Sequence, residues 1–160
     1  MGIISALTFS LSAVDSMISA PLPLGVRIGV ANIVVILTIL TVGKKEGFII
    51  TLLKSLFILV TKGITASLLS FSGGMLAFLI TILLLKSEKN SLILISVLSA
   101  LTHNVGQIIM ASVIMKNINT LFYLPVLVVS AVITGTITGT AIKAVMPLAE
   151  KAVKKTVKEE

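Results

Sequence analysis

Three polar side chains that could bind a ligand or a proton lie in one turn of a predicted helix. His103, Asn104 and Gln107 lie near the centre of the apolar run 91–115, and residues four apart share a helix face, which aligns His103 with Gln107. This arrangement favours a ligand or proton site, with an interhelical hydrogen-bond cluster that only fixes packing as the alternative. A lone histidine is a poor metal site, and Asp15 is the only carboxylate within an apolar run. We therefore predict no structural or catalytic metal and no cofactor.

Two basic side chains are candidates for binding an anion. Lys54 lies midway along the apolar run 48–60, where an ammonium costs a few kcal/mol, so we expect it to face the interior of the protein or a wet cavity. Snorkelling to the interface is the alternative. Arg27 follows a proline-rich loop. The candidate ligand-binding residues are Arg27, Asn32, Lys54, His103, Asn104, Gln107 and Tyr123.

The composition predicts which elements position these residues. Of 160 residues, 56% are hydrophobic and 12% are charged, whereas a soluble domain carries roughly 25% charged residues. One span and its turn take roughly 20 to 27 residues, so the chain holds about six helices. We predict an all-α integral membrane protein, a compact bundle of about six transmembrane helices over residues 1–149, with a charged tail at 150–160. The apolar runs are 2–20, 28–42, 48–60, 64–85, 91–115 and 121–142.

The second and third runs are shorter than the others. Either these two runs extend into their flanking loops, or they form one tight hairpin at 43–47. We expect six helices, with five as the alternative. The first run has no basic residue before it, so we expect a retained helix and not a secretory signal peptide. Cysteine is absent, which excludes disulfides and thiolate metal sites.

The net charge of +7 indicates attraction to anionic lipid headgroups and not nucleic acid, because the basic residues cluster at helix ends and in the tail. With six crossings, nine lysines lie on one side of the membrane and three basic residues on the other. The excess predicts a multi-pass protein of a bacterial cell membrane with both termini in the cytoplasm. The nine are Lys44, Lys45, Lys86, Lys89, Lys143, Lys151, Lys154, Lys155 and Lys158, and the three are Arg27, Lys62 and Lys116.

Small residues form faces that let another helix approach closely. In the first run Gly2, Ala6 and Ser10 share a face, which predicts either packing within the bundle or contact with a partner membrane protein.

Two further glycine patterns predict packing and bending. Ala131, Gly135 and Gly139 repeat the small-residue face in the last run, where we expect packing within the bundle. Residues 70–74 contain serines and two glycines, and we expect them to bend or unwind the fourth helix beside a cavity.

The chain resembles the family of heptaprenyl diphosphate synthase component I, also called the Gx transporter family, whose members look like the substrate-binding S components of energy-coupling factor (ECF) transporters. Asp15 stands where the family usually has glutamate, Arg27 where it has lysine and Lys54 where it has arginine, so each charge sign is kept. The resemblance rests on residues 21–33, 72–74, 103–107 and 123–125 and on Gly135 and Gly139.

The resemblance implies six membrane helices and a small-molecule pocket near the outer face. It also implies that Gly2, Ala6 and Ser10 contact a transmembrane coupling protein driven by two cytoplasmic ATPases. The expected function is a substrate-binding subunit of an uptake transporter for an anionic, vitamin-like or isoprenoid-related solute. Two alternatives are a non-catalytic membrane subunit linked to heptaprenyl diphosphate or quinone synthesis, and an accessory of flavin- or quinone-linked electron transfer.

We expect no catalysis by this chain. A prenyl elongase needs clustered aspartates that hold magnesium and diphosphate, and no two acidic residues form such a motif here. No Walker A pattern occurs either, so ATP hydrolysis would belong to partners. The acidic residues are Asp15, Glu46, Glu88, Glu150, Glu159 and Glu160.

Overall fold

The structure is a computed structural model that describes residues 30–87 and 90–158, with side chains over 32–87 and 90–147. The described part is helical throughout and contains no strand. The predicted first helix lies outside the described residues, and so do the candidates Gly2, Ala6, Ser10 and Arg27. The helices are α1 (Val30–Thr41), α2 (Lys44–Lys62), α3 (Ile64–Leu84), α4 (Leu92–Met115) and α5 (Leu124–Lys158), with a 3-10 turn at Ile118–Tyr123.

Three helical segments in the described part are long and apolar enough to cross a membrane. They are Ile64–Leu84, Leu92–Met115 and Ile118–Pro147, with mean hydropathies of 2.1, 1.7 and 2.0. Helix α2 has 19 residues but carries lysines at both ends and Lys54 within it, which lowers its hydropathy. The described part is therefore that of an all-helical membrane protein with three candidate spans, and six crossings stay a prediction.

The distribution of polar residues is that of a protein surrounded by lipid. Among the residues whose side chains are described, thirteen buried ones are polar or charged and thirteen are apolar, whereas large apolar side chains such as Val60 (86% exposed) and Phe122 (83%) lie on the outside. Water would disfavour this surface, and hydrocarbon favours it.

Consecutive helices pack side by side from α2 to α5, and α4 lies between α3 and α5. The link between α2 and α3 is the single residue Gly63, whose φ of 84° suits glycine. Ser91 caps the start of α4, where its side chain accepts a hydrogen bond from the Leu94 amide at 3.2 Å. The short links make neighbouring helices antiparallel.

The small-residue face of α5 packs inside the bundle, as predicted. A Cβ added at Gly135 would lie 2.5 Å from the Val97 Cα, and one at Gly139 would lie 2.7 Å from the Ile93 Cα. Ala131 on the same face is fully buried. The two glycines thus let the backbones of α4 and α5 come together.

The third run extends into its flanking loops, which confirms the first of the two alternatives, because α2 spans Lys44–Lys62. Residues 44–47 are therefore helical and not a loop. The Gly47 amide donates to the Gly43 carbonyl at 3.1 Å, which closes the first turn of the helix. Lysine and glutamate are good helix formers, so Val42 and Gly43 suffice for the connection and the charged residues join the helix.

The unwinding expected as one outcome at residues 70–74 is wrong, because α3 runs continuously from Ile64 to Leu84. Gly73 and Gly74 are buried within it. Their missing side chains allow close contact with α4 and α2, and this packing offsets the low helix propensity of glycine.

The last helix extends beyond the apolar run that predicted it. Pro125 lies in its first turn, where the missing amide proton costs nothing, and the helix continues past Pro147 to Lys158. The charged segment from 150 is therefore helical up to Lys158.

Candidate functional site

Lys54 faces the interior of the bundle, as predicted from its position on α2. Its side chain is 4% exposed, and Thr51 and Ile58, one turn away on either side, are also buried. The Lys54 Nζ donates a hydrogen bond to the Asn32 Oδ1 of α1 at 2.6 Å. Two candidates that are 22 positions apart in the chain thus meet in the folded protein.

A small cavity lies beside this pair. The part that admits the centre of a water molecule is about 10 Å³, which is about the room that one water needs. A larger ligand therefore requires the surrounding helices to separate. The lining residues come from α1 to α4 and are Asn32, Val35, Ile36, Thr51, Lys54, Gly74, Ala77, Phe78, Thr81 and Ser99.

The hydroxyl groups of the cavity are already hydrogen-bonded within the protein. Thr51 donates to the Gly47 carbonyl at 2.9 Å, and Thr81 Oγ1 lies 2.7 Å from the Ala77 carbonyl and 3.2 Å from the Ser99 Oγ. Lys54 is the charged residue among those that line the cavity. This chemistry suits an anion, because a positive charge acts more strongly in a medium of low dielectric constant than in water.

His103 and Gln107 meet α3 at its closest approach to α4. A Cβ added at Gly73 would lie 2.6 Å from the His103 carbonyl oxygen, 2.8 Å from the Gln107 Cγ and 3.0 Å from the His103 Cε1. On the other helix, a Cβ at Gly106 would lie 2.8 Å from the Ser72 carbonyl oxygen. The Ser72 hydroxyl also donates to the Gly106 carbonyl at 3.0 Å. One glycine from each helix thus makes this crossing possible.

Two buried polar atoms at this level of the bundle have no hydrogen-bond partner within the described residues. They are the Oγ of Ser70, in a residue that is 1% exposed, and the Oε1 of Gln107, in a residue that is 5% exposed. An unsatisfied buried polar group costs about 1–3 kcal/mol. Such groups normally bind an ordered water or a ligand.

The structure sorts the predicted site residues into separate groups. Asn32 and Lys54 line the cavity together, and His103 and Gln107 lie together against Gly73. Neither of the latter two is among the cavity-lining residues, although Ser99, one turn before His103, is.

Asn104 and Tyr123 belong to neither group. The Asn104 Nδ2 donates to the Leu127 carbonyl of α5 at 3.0 Å, which fixes the packing of two helices. Tyr123 ends the 3-10 turn and is 41% exposed. The binding roles assigned to all these residues stay predictions.

Sequence reasoning did not assign Gly74 and Thr81 of α3 to the site. The available signal was the spacing of Ser70, Gly74, Ala77 and Thr81, which recur every three or four residues. That period places small and polar residues on one face of a helix. This pattern is hard to recognise because the whole run 64–85 is strongly apolar.

Comparison with known proteins is consistent with the resemblance seen in the sequence. A family model described as heptaprenyl diphosphate synthase component I matches residues 4–145. No curated protein and no solved structure matches the chain. The matched span includes the cavity and the crossing of α3 and α4. The chain belongs to the heptaprenyl diphosphate synthase component I family.

Proposed function

We propose that this chain is a non-catalytic, membrane-embedded subunit that binds a small anionic solute at Lys54. The observation that carries the proposal is the buried ammonium beside a cavity inside a bundle of apolar helices. Ionisable residues within membrane segments are rare and usually serve ligand or ion binding.

The energetics favour an anion as the ligand. A charged side chain in a membrane bundle costs at least a few kcal/mol, and a bound anion offsets part of that cost. Asn32 holds the Lys54 side chain at the cavity through a neutral amide. This contact orients the ammonium at the cavity.

The cavity is too small to admit a solute without movement of the helices, so binding and release require the bundle to open. In the uptake function that we propose, a transmembrane coupling protein with two cytoplasmic ATPases supplies this movement. The resemblance to S components that was drawn from the sequence supports this proposal.

The family description favours a second candidate, a non-catalytic membrane subunit of heptaprenyl diphosphate synthesis. In that case the anion is the diphosphate of a prenyl substrate or product, and the partner is a soluble synthase component. Both functions use the same buried lysine, so the partner and the solute distinguish them.

Binding to the purified protein in lipid nanodiscs tests the common part of the proposal. The probes are inorganic diphosphate, isopentenyl diphosphate and hexanoate, each titrated by calorimetry. Lys54→Met should weaken binding about ten- to a hundredfold, because hydrogen bonds to charged groups contribute about 1.5–3 kcal/mol.

Lys62→Met is the matched control, since Lys62 lies exposed at the end of the same helix. It should leave affinity unchanged. Equal effects of the two substitutions, or no binding of any probe to the unaltered protein, would reject an anion site at Lys54.

Cells that lack the chain separate the two functions. Membranes from these cells should make heptaprenyl diphosphate from isopentenyl and farnesyl diphosphates at the normal rate if the chain serves uptake. Loss of that synthesis, restored by the unaltered chain, would favour the synthase subunit.

A further inference from the structure

Helix α5 is longer than a membrane crossing requires. It has 35 residues, from Leu124 to Lys158. At a rise of about 1.5 Å per residue its length is about 52 Å, whereas the hydrocarbon core of a bilayer is about 30 Å thick. The first charged residue of the helix is Lys143, and its side chain is exposed. The segment from Leu124 to Lys143 is long enough to span the core by itself, so residues 144–158 continue beyond it.

Exposed lysines mark the membrane surface at this end of the bundle. Gly139 of α5 lies against Ile93, in the first turn of α4, and the antiparallel packing brings the start of α2 and the end of α3 to the same end. Lysines at the ends of membrane helices place their ammonium groups among the lipid headgroups. The exposed lysines here are Lys44, Lys45, Lys86 and Lys143. Helix α5 therefore leaves the hydrocarbon near Lys143.

The far end of α5 reaches beyond the lipid headgroups. The headgroups add about 5–8 Å on each side of the core, whereas Lys158 follows Lys143 by about 22 Å along the helix. Pro147 lies within the helix and does not end it, and a proline kinks a helix without reversing its direction. Even at a tilt of about 40°, Lys158 lies about 17 Å from the core. That position is more than one Debye length, about 8 Å at physiological salt, beyond the headgroups.

Four lysines share one face of this continuation. Their spacing of three and four residues places them in one stripe of an α-helix, and the same spacing places Ala149, Ala152 and Val153 on the other side. A helix that lies in the membrane interface has Trp, Phe or Leu on its apolar face, and bases of nucleic acids stack on aromatic or arginine side chains. Residues 149–158 contain none of these residue types. The lysine stripe consists of Lys151, Lys154, Lys155 and Lys158.

We infer that the lysine stripe docks an acidic surface of a soluble protein. The stripe begins where the helix leaves the lipid and ends in water, where a surface of opposite charge is attracted to it and is oriented on it. A lipid surface is the alternative occupant, and both the length of α5 and its small opposite face disfavour it. The lysine stripe is separate from Lys54, so this inference goes beyond the proposed anion site.

A single tryptophan measures whether the end of α5 projects or lies on the membrane. The chain contains no tryptophan, so Thr156→Trp, on the side of the helix away from the lysine stripe, is the only indole. The full chain is placed in nanodiscs that contain phosphatidylglycerol, with and without brominated acyl chains. The emission should be that of an indole in water, and bromine should not quench it.

Ile133→Trp is the control for this measurement. Ile133 is 56% exposed within the lipid-facing part of α5, so bromine should quench its replacement. Quenching of Thr156→Trp to a similar extent would place the end of α5 on the membrane and would overturn the inference.

Photocrosslinking in the cells that make the protein identifies what covers the lysine stripe. A benzophenone amino acid replaces either Lys155, within the stripe, or Thr156, away from it. The probe at 155 should form an adduct with a soluble protein, which mass spectrometry identifies, and the probe at 156 should form much less of it. Adducts with lipid or nucleic acid, equal adducts at both positions, or no adduct at either position would each contradict a protein partner.

The charge of the stripe is tested with the identified protein in purified form. Its affinity for the full chain in nanodiscs should fall about two- to fivefold for each of Lys151→Gln and Lys154→Gln, as for exposed ion pairs. High salt should remove the difference. Lys62→Gln and Lys116→Gln remove the same charge at the opposite end of the bundle and should leave the affinity unchanged.

An affinity that does not depend on the lysine stripe would overturn the inference, even if the protein binds elsewhere. None of these variants alters Lys54, and anion binding there is measured separately by calorimetry. Failure of the docking surface and failure of the proposed anion site are therefore distinguishable.

Discussion

Replacing Gly73 by alanine should force α3 and α4 apart at the candidate site. The new Cβ would lie 2.6 Å from the His103 carbonyl oxygen and 2.8 Å from the Gln107 Cγ, both well inside ordinary van der Waals contact. The carbonyl belongs to the backbone of α4 and cannot rotate away. We therefore expect the helices to shift, and overpacking of this kind costs about 1–3 kcal/mol.

Gly74→Ala is a closely matched control for this prediction. Both substitutions add one methyl group at adjacent positions in the middle of the same helix, so both gain about 0.5–1 kcal/mol of helix propensity. The contact that Gly74→Ala makes is with a side-chain methyl group of Thr51 at 3.0 Å, which can give way by a few tenths of an ångström. The difference between the two variants therefore isolates the clash with α4.

The assay is unfolding by SDS in mixed micelles, followed by the loss of helical structure. Gly73→Ala should have a free energy of unfolding about 1–3 kcal/mol lower than that of Gly74→Ala. Equal stability, or a less stable Gly74→Ala, would show that α3 and α4 do not cross at Gly73, and the candidate site would lose its geometry.

Three further predictions concern helix packing and orientation. Gly139→Leu should destabilise the bundle by about 1–3 kcal/mol or more in the same SDS assay, because the leucine side chain has no room between α4 and α5. Thr140→Leu, on the exposed face of the same helix, is the control and should not destabilise the bundle. Equal effects of the two substitutions would place Gly139 on the lipid side. Asn104→Leu should lower the free energy of unfolding by about 0.6–1.7 kcal/mol, as expected for an interhelical hydrogen bond in a membrane. It should leave the affinity for hexanoate unchanged. A large loss of affinity with normal stability would instead make Asn104 a ligand-binding residue. A cysteine at Lys155 should stay unlabelled by an impermeant reagent in intact cells, whereas one at Lys116 should react, and the reverse result would invert the predicted orientation.

The sequence by itself determined the class of protein and the positions of most described helices. Low charge and long apolar runs require the backbone to satisfy its hydrogen bonds locally, which in lipid means helices. The runs 64–85 and 91–115 match α3 and α4 to within a residue or two. Burial of Lys54 also followed from its position, because a charge in an apolar helix is costly unless it turns inward. Sequence reasoning failed where glycine was taken as a helix breaker, since a glycine that ends a helix and one that packs against another helix look the same in one dimension.

Only the tertiary structure decided which polar residues come together. Three features depend on how separate helices pack. They are the contact between Lys54 and Asn32, the crossing at Gly73 and Gly106, and the hydrogen bond from Asn104 to α5. Helical periodicity shows which residues share a face of one helix, but it contains no information about the neighbour that this face meets. That choice depends on close packing between helices, where one missing Cβ decides how near two backbones come.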